Sequence, residues 1–214
     1  CYIPNAKKNA GEDMNFEEVC SIIDQFVEMG GLHVTLSGGE VFLHKDIIRI
    51  LQYCRKKDLE ICILSNLIAL KDEQIPFIKD VNVSYIQASL YSMEPEIHDR
   101  ITTIKGSQIK TKAAIEKLVA ADIPVQIACP LMKANKDSYK DILFYAQSLQ
   151  IKAFSDYIMM AEADFCTDNL QNRLSIPETE NVIRNIIEFD IDYSKWVKKQ
   201  SPILENLDIE KYAK

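Results

Sequence analysis

Strand-like runs and helix-like stretches alternate along almost the whole chain, and this constrains the fold more than anything else in it. LHVTLS, EICILSN, VNVSYIQASLY, VQIACPL and KAFSDYIMM have strand character. Between them lie amphipathic segments near 46–56, 72–79, 107–121 and 136–149, and another helix runs from Pro177-Glu178 to about Phe189. Strands separated by helices specify a parallel sheet covered by helices. An opening helix follows Asn15, whose side chain and Glu18 have capping-box spacing, and Gly30-Gly31 stops it. This helix has no strand before it, so a strand upstream of Cys1 is expected and the chain is expected to be a fragment. Asn135 is the expected cap of the 136–149 helix.

Strand parity refines the fold. In LHVTLS, Leu32, Val34 and Leu36 alternate with His33, Thr35 and Ser37. In SYIQASLY, Ile86, Ala88 and Leu90 alternate with Tyr85, Gln87, Ser89 and Tyr91. A doubly wound sheet is apolar on both faces. A polar face suits a lumen that holds a ligand, so the expected fold is α/β, an incomplete parallel βα barrel (a partial TIM barrel) lacking its first strand. Residues 1–190 are expected to form this core, and 191–214 a linker toward a C-terminal extension.

Composition then narrows the function. The net charge of −7 argues against a surface that coats nucleic acid. No apolar run approaches the ~20 residues of a membrane helix, so no membrane partner is expected. The six cysteines, at 1, 20, 54, 62, 129 and 166, contain no CxxC, and those at 20, 54, 62 and 129 fall at positions of buried free thiols in a reducing, cytoplasmic setting. His33, His44 and His98 share no metal-binding spacing, so no histidine triad is expected.

Function in such folds gathers at the C-terminal strand ends. Here these are Ser37-Gly38-Gly39-Glu40, Ser65-Asn66, Ser89-Leu90-Tyr91-Ser92, Leu131-Met132-Lys133 and Asp156 to Met160. Two glycines directly after a strand let backbone approach a ligand, and Glu40 adds an anchor for a cation. Neither GxGxxG nor GxxxxGK[ST] is present. Asp156 has two readings, a substrate contact or proton acceptor, and a structural ion pair with a cation such as Lys133. Met159-Met160 is expected to be adaptable packing.

Cys1-Tyr2, SGGE, Asn66 and SLYS, in this order, resemble the radical S-adenosylmethionine (SAM) family. That family opens with CxxxCxxC, and Cys1 is similar to its third cysteine; its two partners are not in this chain. The resemblance implies a 4Fe–4S cluster held partly by Cys1. It also implies SAM lined by Gly38, Gly39, Glu40, Ser65, Asn66, Ser89 and Leu131. The stretches SLYSMEPEIHDRITTIKGSQIKTKAAIEKL, CPLMKAN and DYIMMAEADFCTDNLQNRLS resemble the branch with a SPASM or twitch extension, which modifies peptides and proteins. The activity that this resemblance implies is reductive cleavage of SAM to a 5′-deoxyadenosyl radical that takes hydrogen from a peptide or protein, with Asp156 as the catalytic candidate. A flavodoxin or ferredoxin would donate the electron. A cofactor-biosynthesis or sulfatase-maturing enzyme is the variant reading, and a non-catalytic peptide-binding barrel without its cluster is the alternative. Many family members have Asp-Gly where Tyr91-Ser92 stand, and Arg-Gly where Thr102-Thr103 stand. Neutral hydrogen bonds from Ser89, Tyr91 and Ser92 are expected to compensate at the cofactor and substrate.

Overall fold

A computed structural model describes residues 13–162 and 165–205, with side chains to residue 199. Helix α1 (Phe16–Glu28) opens on a capping box. The Glu18 N–H donates to Asn15 Oδ1 at 3.0 Å, and the Asn15 N–H donates to Glu18 Oε2 at 2.8 Å. Two of the helix's otherwise orphaned donors are thereby satisfied. Strand β1 (His33–Leu36) and helix α2 (Ile47–Lys56) follow, then β2 (Glu60–Ser65), α3 (Ile75–Val81) and β3 (Tyr85–Ser89). Helices α4 (Pro95–Thr102) and α5 (Ser107–Ala120) lead to β4 (Val125–Pro130), and α6 (Tyr139–Ser148) leads to β5 (Lys152–Asp156).

All five strands are parallel and lie in the order β1-β2-β3-β4-β5. Each strand is followed in space by the next in sequence, with no reversal of order. A doubly wound nucleotide-binding sheet has such a reversal at its ligand crevice, and its absence here gives the open sheet of an incomplete βα barrel.

Register separates two faces. Ile61, Ile63, Ile86, Ala88, Ile127 and Cys129 alternate onto one face and are fully buried, as are Leu51, Cys54, Ile78, Ile115, Leu118 and Ile142 from the helices. Burying each large side chain stabilises the sheet–helix layer by ~1.5–3 kcal/mol. The opposite face carries His33 and Thr35 on β1, Glu60 and Cys62 on β2, Tyr85, Gln87 and Ser89 on β3, Gln126 on β4 and Lys152, Phe154 and Asp156 on β5. This is the polar face that the alternation in β1 and β3 anticipates.

Three boundaries differ from the periodicity. β3 begins at Tyr85, and β5 ends at Asp156, so the run to Met160 is loop. Helix α6 begins at Tyr139, and its first residue is preceded by Ser138, not Asn135. Of the cysteines expected to be buried, 54, 62 and 129 are, while Cys20 is half-buried. Chain contacts divide the protein into one compact unit ending at Arg173 and a second from Leu174. In the second, α7 (Ile176–Phe189), with a Ser175–Glu178 capping box, packs on α8 (Ile191–Glu205). Among the described residues no helix is long and apolar enough to cross a membrane.

Candidate functional site

The strand ends converge on a rim organised by Glu40. Its Oε1 accepts from the Ser65 hydroxyl at 2.7 Å and from the Phe42 N–H at 3.1 Å; its Oε2 accepts from the Asn66 N–H at 2.8 Å. The loop after β1 is thus fastened to the end of β2. A carboxylate offers about four acceptor positions. Three donors engage Glu40, which leaves acceptor capacity on Oε2 for a cationic group placed above the rim.

Gly38 and Gly39 lie beside this clamp. An added Cβ at either would meet nothing within 4 Å, and neither has the left-handed backbone that demands glycine. The fold therefore does not require them to be glycine; what they leave is an open exposed cradle next to Glu40. The residues present fit a cofactor that brings an ammonium to Oε2 and lies against bare backbone.

On β2 the Ser65 hydroxyl also accepts from the Leu67 N–H at 2.8 Å. Asn66 Oδ1 accepts from the Ile68 N–H at 2.9 Å, and the Asn66 carbonyl accepts from the Thr111 hydroxyl at 2.7 Å. Leu67 is fully buried yet has φ of 62°. A left-handed leucine costs ~1–3 kcal/mol, and such strain persists only where neighbours over-determine it. The Ser65–Leu67 bond and the buried side chain do so here.

The end of β3 rests on a polar hub that sequence patterning misses. His98, 1% exposed, accepts the Tyr91 N–H on Nδ1 at 3.2 Å, and the two rings lie 5.5 Å apart. Burial pushes the His98 pKa down, against a smaller upward pull from Asp99. Asn135, 2% exposed, donates through Nδ2 to the carbonyls of Tyr91 (2.9 Å) and Pro130 (3.0 Å) and accepts the Met132 N–H at 2.9 Å. Asn135 therefore ties the β3 and β4 loops together instead of capping α6.

The serines at this end divide. Burial raises the Tyr91 pKa, and a side-chain hydrogen bond with Ser89 opposes that rise. Ser92 is 1% exposed; its hydroxyl accepts from the Glu94 N–H at 3.1 Å and from the Ser138 hydroxyl at 3.1 Å. Ser92 thus serves the interior and not the rim, whereas Ser89 lies on the polar face of β3 and the Tyr91 ring lies beside buried His98. Asp99 accepts from Gly106 N–H, the Ser107 hydroxyl and Gln108 N–H, which hold its carboxyl below the usual range and fix the start of α5. Thr103, at the end of α4, has φ of 62°.

At β4 and β5, Leu131 is buried and its N–H donates to the Asp156 carbonyl at 2.6 Å. The Asp156 side chain is exposed and its Oδ1 accepts from the Ile158 N–H at 2.8 Å. Lys133 directs its ammonium to the Gln171 carbonyl at 2.8 Å, so it is engaged away from the ion pair considered for Asp156. Met160 is 72% exposed, beside Ile158 at 72%, which removes the packing reading for that methionine. Cys1 and Tyr2 lie outside the described residues. A cavity of about 460 Å³ opens at the other end of the strands, lined in part by Tyr85, Pro124, Val125 and Lys152. Position on the strand ends, not cavity size, defines this candidate site.

The model of the Radical SAM superfamily matches residues 1–146. The antilisterial bacteriocin subtilosin biosynthesis protein AlbA of Bacillus subtilis (strain 168) is 28% identical over 156 residues, covering 72% of this chain and 35% of that protein. The PqqA peptide cyclase of Rhizobium meliloti (strain 1021) is 25% identical over 152 residues, 71% of this chain and 40% of that protein. The chain thus spans well under half the length of these relatives. Among solved structures, Streptococcus suis SuiB bound to precursor peptide SuiA superposes with a TM-score of 0.67 at 12% identity, over 88% of this chain and 42% of that one. At that identity the likeness is one of fold.

Proposed function

The chain belongs to the radical SAM superfamily, and from that premise we propose that its parent protein modifies a peptide or protein substrate. The carrying observation is the Glu40 clamp beside the open Gly38-Gly39 cradle. Gly38 and Gly39 give backbone contact to SAM, and Glu40 Oε2 receives its amino group. Ser65, Asn66, Ser89 and Leu131 complete the cofactor surroundings. Cys1 is the iron ligand contributed by these residues, and two further thiolates complete the set. Bound together, the 4Fe–4S cluster supplies the electron and SAM the group that removes hydrogen.

This chain's own residues then orient and shield. Glu40 fixes the β1 loop to β2 and thereby holds the cradle against the strand end. Asn135 and His98 hold the β3 and β4 loops in register with it. Phe154, Ile158 and Met160, exposed around the end of β5, offer an apolar shelf for an extended peptide, with Asp156 beside it as the proton acceptor. AlbA and the PqqA peptide cyclase, by name, serve bacteriocin biosynthesis and peptide cyclisation, which favours a ribosomally made peptide. The electron comes from a flavodoxin or ferredoxin in the cytoplasm. Residues 1–190 form the core region, its sheet lying in the compact unit that ends at Arg173, and 191–214 lead to a SPASM-type extension. The 214 residues alone are inactive, since one thiolate does not hold a cluster that takes three or four.

The test is anaerobic reconstitution of the parent with iron and sulfide, then reduction with dithionite in the presence of SAM. Release of 5′-deoxyadenosine that a Gly39→Val variant loses, with its cluster intact, supports the reading. Equal release by parent and variant, or none by the parent, overturns it.

A further inference from the structure

At the end of the sheet opposite the rim, three chemically different donors meet on the polar face. His33 opens β1, Glu60 opens β2 directly across from it, and Cys62 lies two residues on along β2. One ligand atom from each lies within 4.8 Å of the other two. His33 Nδ1 and Glu60 Oε2 are 3.2 Å apart. That is close to the ~3.3 Å edge of a tetrahedron with metal–ligand bonds of ~2.0–2.1 Å. His33 and Glu60 are exposed, while Cys62 is buried beneath them. The cluster can therefore be entered from solvent on one side and closed by a thiolate on the other.

The groups behind these donors point the same way. His33 Nε2 lies 3.0 Å from the Thr35 hydroxyl. Nδ1 meets the Glu60 carboxylate in a contact that a ring proton closes as a hydrogen bond and that a bound cation would take over in its place. The contact with His33, and to a lesser extent Ser84, holds the Glu60 carboxyl below its usual range, while burial raises the Cys62 thiol pKa and Tyr85 eases that rise. Thr35 is thus an outer partner that orients the His33 ring, as such partners do for metal-ligating histidines.

We propose that His33, Glu60 and Cys62 form a binding site for a borderline divalent cation of the zinc class. Imidazole plus thiolate favours Zn²⁺ or Co²⁺ over the oxygen-seeking Mg²⁺ and Ca²⁺. Three protein ligands leave a fourth position for water or a substrate group. Burial keeps the Cys62 thiol pKa up, so loading replaces the S–H proton by the metal and releases it to solvent, with no change of oxidation state. The cluster shares no residue with the rim and stands whether or not the proposed peptide chemistry does.

Cobalt(II) titration of the 214-residue chain, without iron or sulfide, tests the site. The expected result is one Co²⁺ per chain with a thiolate-to-cobalt charge-transfer band. The band should persist in Cys1→Ala, which removes the iron ligand, and vanish in Cys62→Ala. Glu60→Gln, at an exposed position that spares the core, should weaken binding at least tenfold. Thr35→Val should do so by ~10–100-fold, since it removes only the outer partner of His33. The proposal is overturned by absence of a band in the unmodified chain, by a band that survives Cys62→Ala or disappears with Cys1→Ala, or by unchanged affinity in both Glu60→Gln and Thr35→Val.

Discussion

Ser65 and Glu40, twenty-five residues apart in sequence, share a 2.7 Å hydrogen bond that closes the β1 loop onto the end of β2. The same hydroxyl accepts from Leu67, so one oxygen both fastens the loop and holds a left-handed leucine in place. Ser65→Ala should therefore destabilise the chain by ~2–3 kcal/mol. A bond to a charged group contributes ~1.5–3 kcal/mol, and the Leu67 N–H would be left without its acceptor. Urea denaturation of the two proteins measures the difference; a loss under ~0.5 kcal/mol would show that the clamp carries no weight.

Gly39→Val separates folding from binding. Open space surrounds the added Cβ, so the melting temperature should stay within the small range of a surface change. SAM affinity of the reconstituted parent, measured by calorimetry, should fall by more than tenfold. A melting temperature that drops together with affinity would mean that the glycine serves the turn.

Protonating His98 opposes folding. Its folded pKa is depressed, so between that value and the unfolded ~6.5 the unfolded chain binds more protons. The stabilisation is complete above pH ~6.5 and is lost as the pH falls toward the folded pKa. His98→Gln keeps an acceptor for the Tyr91 N–H and does not titrate, so its stability should be flatter over that window. Matching pH slopes for the two proteins would contradict the assignment. Asp99 acts lower: its depressed pKa gives stability present above the unfolded ~3.8 and lost as the pH falls through the folded value.

Thr103 holds the left-handed conformation at φ 62°. Thr103→Gly relieves strain of ~1–3 kcal/mol but returns freedom to the unfolded chain. A net gain of ~0.5–1 kcal/mol is expected in denaturant melts; a loss would show that its side chain offsets the strain.

Asn135→Ala removes the donor to the Tyr91 and Pro130 carbonyls and the acceptor of the Met132 N–H, while the Tyr91 carbonyl keeps the Cys129 thiol. At ~0.5–1.5 kcal/mol for each net bond lost, a loss of ~2–3 kcal/mol is expected in the same measurement.

The alternation that carried the sheet was legible because it is local: Ile86 and Ala88 face one way and Gln87 and Ser89 the other within a single strand. The glycine–glutamate turn was legible as a site for the same reason. Asn135 was not, because its main partner Tyr91 lies 44 residues away, and a lone Asn before a helix looks like a cap. Glu40 was legible as an anchor, but its donors on β2 come from another strand-end loop. The His33–Glu60–Cys62 grouping depends on the β1–β2 register, and neither strand alone carries a ligand spacing.

The strictly successive strand order has a consequence for how the protein is made. As the chain leaves the ribosome, each new strand of the sheet finds its neighbour already synthesised. No earlier pair has to open to admit a later arrival between its members. The sheet can grow by addition at one margin, each step closing only the intervening helical segment. Such a chain is suited to assembling during translation, with the Glu40–Ser65 clamp among its first long-range connections to lock.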